Sequence, residues 1–317
     1  MKIVVTGGAG FIGANLCEEL SRRPDVSQIL VLDDLSSGSL ANLRNTRADF
    51  VHGNILDRSL LKEVMSGADA AVHLAARPSV AMSVDDPEGS HEVNATGTLR
   101  VLEACRAEGA YAVVASSCAV YGDSAENPKH EDLPTRPLSP YGASKLATEA
   151  YTLSYAASFG MRALALRFFN VYGPFQPADH AYAAVVPAFV DAALRGDPLR
   201  VHGDGLQTRD FTFAETVVAV LVDAVMREVT SETPVNVAHG IQVSLLELAR
   251  ELSGVLGRPL EIRHEPPRKG DIRDSRASCD RLRLLFPDIV PVSLELGLRR
   301  TVDWFEQTVT TNVRRSQ

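Results

Sequence analysis

A chain of 317 residues, 45% hydrophobic and 23% charged, is long enough for a large buried core and stands at the size where one core usually divides into two. Its net charge of -8 excludes a nucleic-acid backbone as the main partner, because displacing phosphate counterions needs clustered Lys and Arg. No run approaches the roughly 18 apolar residues of a membrane span, and MKIVVTGG reaches glycine too soon for a signal peptide. The expectation is a soluble, cytoplasmic protein without membrane contact.

Residues 3–5, 29–32, 70–74, 112–115 and 163–168 read as buried strands, being short and continuously apolar. Between them Leu16 and Leu20, Leu60 and Val64, and Leu99 and Cys105 carry the spacing of helices with one buried face. Such alternation predicts an α/β fold, a doubly wound parallel sheet covered on both faces. After Asn170 the texture changes to VYGPFQPADHAYAAVVP, where a second, smaller α/β domain is expected to begin. Residues 214–229 again read as a helix and 235–237 as a strand, so the chain is expected to return to the first sheet over 211–239. The first domain is thus 1–170 with that return, the second 171–210 and 240–317. Cys17, Cys105, Cys118 and Cys279 show no CxxC spacing and predict no disulfide framework; Cys17 and Cys105 fit core positions.

TGGAGFIG, residues 6–13, lies between the first strand and the first helix, with Gly7, Gly10 and Gly13 at three-residue spacing. Glycine lets the backbone turn tightly and approach a pyrophosphate, whose charge then meets the helix N-terminus. The second strand ends in Asp33 and Asp34, where a carboxylate accepts hydrogen bonds from an adenosine ribose and repels a 2'-phosphate, favouring NAD over NADP. For Asn54, in HGNILD, two readings stand: a partner for the adenine edge, or a turn residue.

SPYGASK, residues 139–145, sets Tyr141 and Lys145 at i and i+4, on one face of a helix starting there. A tyrosine ordinarily ionises at about pH 10, and each unit of depression needs about 1.4 kcal/mol of preferential phenolate stabilisation. A lysine ammonium and a positively charged nicotinamide ring supply such stabilisation, making Tyr141 a general base near neutral pH.

TGGAGFIG, the Asp33 strand end, HLAA (73–76), SSCAVYG (116–122), YGASK (141–145) and RFFNVYG (167–173) stand in the order of the extended short-chain dehydrogenase/reductases. Over essentially its whole length the sequence resembles their nucleotide-sugar epimerase/dehydratase branch, in particular the UDP-hexose 4-epimerases. The resemblance implies a Rossmann-type domain with tightly held NAD and a smaller domain closing over a UDP-sugar. It carries over Ser117, Tyr141 and Lys145 as the catalytic trio: Ser117 relays or orients the sugar hydroxyl proton, Tyr141 accepts it, and Lys145 lowers the phenol pKa and binds the nicotinamide ribose. Phe11, Ile12, Ile55, Leu74, Ala75, Ala76, Asn94, Ser116, Phe168 and Val171 match its cofactor positions. Asn170 matches the residue holding the sugar diphosphate, Val186 and Pro187 the uracil-facing segment, and Arg209 and Arg268 the diphosphate clamp, where the guanidinium fork suits phosphate. Arg77 fits a ligand contact or a solvated surface equally.

The reaction is read at the strand end. In the resembling 4,6-dehydratases Asp and Glu follow the catalytic Ser/Thr; here those positions are Cys118 and Ala119, and alanine serves neither as acid nor as base. A 4-epimerase needs no second base. Cys118 is read as a filler of the strand end, against the alternative of a reactive thiol. By the same resemblance Ser275 matches a position where a bulky aromatic narrows the sugar pocket, so a serine there implies room for N-acetylated or uronic sugars besides glucose and galactose. The alternatives are an NAD-dependent dehydratase or reductase of the same family and a non-catalytic dinucleotide-binding regulator. The resemblance further implies a homodimer through helices around 91–108 and 143–159, where Leu99, Leu102, Tyr151 and Tyr155 fit either that contact or the core.

Overall fold

A strand covered on both faces must be apolar throughout, and the Val-, Ile-, Leu- and Ala-rich runs of this chain meet that condition. The computed structural model describes residues 1–178, 183–267 and 273–315. Strands β1 (Lys2–Thr6), β2 (Gln28–Asp33), β3 (Asp49–His52), β4 (Ala70–His73), β5 (Tyr111–Ser117) and β6 (Ala163–Phe168) follow in the chain. They are succeeded by β7 (Val171–Tyr172), β8 (Leu199–His202), β9 (Thr208–Arg209), β10 (Thr212–Phe213), β11 (Val235–Val237), β12 (Val243–Ser244) and β13 (Ile262–Glu265). Helices α1 (Phe11–Ser21), α2 (Arg58–Met65), α3 (Val80–Asp85), α4 (Pro87–His91), α5 (Gly97–Glu108) and α6 (Pro140–Phe159) occupy the first half. The second half holds α7 (Val185–Arg195), α8 (Ala214–Arg227), α9 (Leu245–Leu256), α10 (Asp280–Leu285) and α11 (Leu294–Arg315).

Seven strands form one sheet in the order β11-β6-β5-β4-β1-β2-β3, every neighbouring pair parallel. Alternation along β1 sends Ile3 and Val5 to the face packed with Leu16, Leu20 and Val217, and Val4 to the face packed with Leu61, Leu102 and Cys105. Chain order reverses between β1 and β4, so the crevice at their carboxyl ends is the place where such a sheet binds ligands.

A separate core gathers Tyr172, Phe189, Val190, Leu199, Phe211, Phe213, Leu248, Leu252 and Leu298. The small pairs β7–β10, β8–β13 and β9–β12 frame it. β11 rejoins the main sheet beside β6, and Ala277, Cys279, Leu282 and Phe286 pack into the first core. All four cysteines are unpaired, and among the described residues no helix is long and apolar enough to cross a membrane.

Candidate active site

β1 delivers the chain into the glycine turn at the crevice. Gly7 has φ of +72°, and a Cβ there would stand 2.6 Å from the Ala75 nitrogen; a Cβ on Gly13 would stand 2.3 Å from the Gly7 carbonyl oxygen. Leu74, Ala75 and Ala76 leave β4 alongside, the Leu74 nitrogen donating to Thr6 O at 3.0 Å. Gly10 caps α1 without a side chain and the first turn holds no acid, so the amides of Phe11, Ile12 and Gly13 face out of a positive helix end. Asp33, 8% exposed, accepts from Ala9 N at 3.0 Å and Leu35 N at 2.8 Å. Burial raises its pKa and these amides oppose the rise. A turn closed to side chains, an anion-ready helix end and a buried carboxylate at the next strand fit a dinucleotide. Asn54 spends its amide within the chain, donating to Asp34 at 2.9 Å and accepting from Leu56 N at 2.9 Å, which is the turn reading. Ile55 is buried against Gly97.

Ser117 ends β5, and its hydroxyl accepts from Ala119 N at 3.2 Å. Ser139 caps α6 and Pro140 opens it, so Tyr141 and Lys145 share the face turned to β5. Burial pushes the Tyr141 phenol up to about 12; a hydrogen bond from Ser117 opposes this and Cys118 adds to it. Burial brings Lys145 down to about 8, and its Nζ donates to Ala115 O at 2.8 Å. The expected near-neutral phenol is therefore not produced by the protein groups alone, because desolvation outweighs the hydrogen bond. Ser116 turns away, donating to Glu149 Oε2 at 2.9 Å.

His73 and Asn94 tie the glycine turn to α6. His73 meets Thr6 Oγ1 at 2.7 Å and Thr98 Oγ1 at 3.0 Å, and burial, reinforced by the Lys145 charge, lowers it to about 3. A π-helical turn over 92–96 exposes the Asn94 carbonyl, which accepts from Thr98 and, at 2.8 Å, from Thr148. The Asn94 amide donates to Ser144 Oγ at 2.9 Å and accepts from Arg77 N at 2.8 Å. Arg77 pairs with Asp86, which fits the surface reading. Neither His73 nor Thr98 was singled out from the sequence, although the first letter of HLAA was the available signal.

Phe168 ends β6 in the first core, and Val171 packs at its edge. Asn170, at φ of +31°, donates to Asp210 O at 3.1 Å. Arg209 lies close enough to lower the Cys118 pKa, as does the Asn170 main-chain nitrogen, yet burial holds the thiol at about 11. Val186 and Pro187 bury their side chains in α7, Val186 within the second core. Ser275 is half-buried beside Asp274, which accepts from Thr208 Oγ1 at 2.6 Å. Arg268 and Tyr182 lie outside the described residues. Asp210, fully buried, accepts main-chain hydrogen bonds from His239, Gly240 and Ala277 at 3.0–3.2 Å; burial raises it to about 6 against those amides.

Residues 3–238 match the family model described as the NAD dependent epimerase/dehydratase family. A UDP-glucose 4-epimerase of Mycolicibacterium smegmatis is 38% identical over 312 residues, 96% of this chain and 98% of that protein. The solved UDP-N-acetylglucosamine 4-epimerase from Methanobrevibacter ruminantium, in complex with UDP-N-acetylmuramic acid, superposes with a TM-score of 0.91 at 32% identity, covering 97% of this chain and 98% of that one. The UDP-glucuronic acid 4-epimerase from Bacillus cereus, solved with UDP-glucuronic acid and NAD, does so at 0.87 with 30% identity, covering 97% and 100%. Glycine turn, the Tyr141–Lys145 helix face and full-length likeness agree: the chain belongs to the NAD-dependent epimerase/dehydratase family, and NAD is its cofactor.

Proposed function

We propose that the protein is a UDP-sugar 4-epimerase of the UDP-glucose/UDP-galactose type whose pocket also takes N-acetylhexosamines or uronic sugars. The observation that carries this reading is the run Ser117-Cys118-Ala119 beside Tyr141. Elimination at C5 and C6 requires a second acid or base; Ala119 offers none, and burial keeps the Cys118 thiol protonated at about 11. A redox-neutral inversion asks only for the groups present. Tyr141 takes the 4-hydroxyl proton with Ser117 orienting the hydroxyl, and returns it after the keto sugar has turned about its diphosphate linkage. Lys145 holds the cofactor ribose and favours the phenolate. NAD, when bound, would supply a reversible acceptor for the C4 hydride.

Asn170, Arg209 and Arg268 are the diphosphate ligands in this reading, and Ser275 leaves space around the sugar. The relatives named for glucose, N-acetylglucosamine and glucuronic acid support that breadth. The first core with β11 is then the cofactor domain and the second core the sugar-nucleotide domain. We also propose a cytoplasmic homodimer through α5 and α6, where Tyr151 and Phe159 are exposed; Leu102 is core, and Tyr155 is buried with its hydroxyl on Glu103 at 2.6 Å.

The test incubates the protein with UDP-glucose, UDP-N-acetylglucosamine and UDP-glucuronate and reads the sugars by NMR. Interconversion of 4-epimers without net NADH is expected; an elimination product, or no turnover of any pair, refutes the reading.

A further inference from the structure

One turn beyond Lys145 on α6 stands Glu149, a carboxylate only 3% exposed. At i+4 on the same face, a buried carboxylate is the natural ion-pair partner of the lysine. It is not paired so. Arg167, on β6 and also 3% exposed, donates from Nε to Glu149 Oε2 at 2.9 Å and from its other arm to Oε1, while Ser116 donates to Oε2. The guanidinium carbon itself lies over the Tyr121 ring, 4.7 Å from its centroid, and the Tyr121 hydroxyl donates to Asn236 Oδ1 at 2.7 Å. Lys145 is left to the Ala115 carbonyl.

We propose that Arg167 is a positioning residue of the catalytic site: by neutralising Glu149 it keeps the Lys145 ammonium aimed at Tyr141 and the cofactor. Around Tyr141 and Lys145 stand His73 on β4 and Cys118 after β5, with Arg209 and Asp210 behind Cys118; Glu149 lies one turn further along α6, bonded to Arg167 on β6. His73 is held neutral and Cys118 protonated. Glu149, at i+4 on the same helix, is the carboxylate placed to compete for Lys145, and the bidentate fork of Arg167 holds it away.

This inference rests on Tyr141 as the base, and its test is separable from turnover. Ionisation of Tyr141 in the NAD-loaded protein is followed by phenolate absorbance, as the difference from Tyr141→Phe, in the parent, Arg167→Met, Arg167→Lys, Glu149→Gln and the Glu149→Gln/Arg167→Met double variant. Arg167→Met is expected to raise the midpoint by about one unit, with the acid limb of the rate moving in step, and the double variant to restore it. Arg167→Lys lowers the melting temperature but keeps the midpoint. If Arg167→Met does not fold, Glu149→Gln serves: leaving the Arg167 cation unpaired is expected to lower the midpoint. An unmoved midpoint in folded Arg167→Met, or in Glu149→Gln, overturns the proposal, as does a double variant shifted as far as Arg167→Met. Failure to epimerise any sugar with the midpoint shifts intact would instead sink the epimerase reading alone.

Discussion

The main-chain nitrogen of Tyr141 donates to the hydroxyl of Ser83 at 2.9 Å. Tyr141 stands in the first turn of α6, where its amide has no partner within the helix, and Ser83 is fully buried on α3. The phenol is therefore aimed from both ends, by Ser117 at its hydroxyl and by Ser83 at its backbone. Ser83→Ala leaves a buried donor unpaired and should cost on the order of 1 kcal/mol of stability. Turnover should fall several-fold while NAD content is unchanged; equal turnover would remove Ser83 from the site.

Tyr141→Phe removes the proposed proton acceptor while keeping the ring. Turnover should fall by about 10³-fold, within the range for general acid–base catalysis, with an unchanged or slightly higher melting temperature since the lost hydroxyl was buried. A loss below tenfold would point to another base.

The Cys118 thiol, raised to about 11 by burial, should be unreactive to alkylating reagents at neutral pH. Cys118→Ala should keep turnover within about threefold of the parent, because the site needs no acid there. Complete loss at intact NAD content would make the thiol a participant.

Gly7→Ala places a methyl 2.6 Å from the Ala75 nitrogen at a positive φ. Strain of this kind costs about 1–3 kcal/mol or more, and the turn must open to relieve it. The variant should melt earlier and purify without NAD, which the 260/280 nm absorbance ratio reads directly.

His73 sets a pH dependence of stability. Its folded pKa of about 3 lies below the ordinary 6.5, so between these values the unfolded chain binds the extra proton. Stability is full above the unfolded value and is lost as pH falls through the window, by on the order of 3 kcal/mol at pH 4. Melting curves from pH 7 to pH 4 should be steeper for the parent than for His73→Gln; parallel curves would deny His73 this role.

The parallel sheet, the glycine turn and the shared helix face of Tyr141 and Lys145 were legible because they rest on local signals: apolar runs, glycine spacing, and an i, i+4 pair. Contacts that pair distant positions were not. Arg167 stood inside a recognised motif, yet its partner Glu149 is 18 residues earlier, on another element. Ser116 and Ser117 are adjacent in sequence, but the strand end turns one to Glu149 and the other to Tyr141. The pKa of Tyr141 was out of reach for a different reason, since the sequence names the charges near a group and not the depth of its burial.

The Asp210 carboxylate joins the amides of His239, Gly240 and Ala277, while its own carbonyl receives the Asn170 side chain. Three separate passages of the chain thus meet at one buried residue, two on its carboxylate and one on its carbonyl, and it acts as a rivet. Residues 239–240 and 277 are thereby fastened to residue 210, and Arg209 is joined to it by a single peptide bond. If Arg209 clamps a diphosphate as proposed, it does so from a backbone pinned at the very next residue.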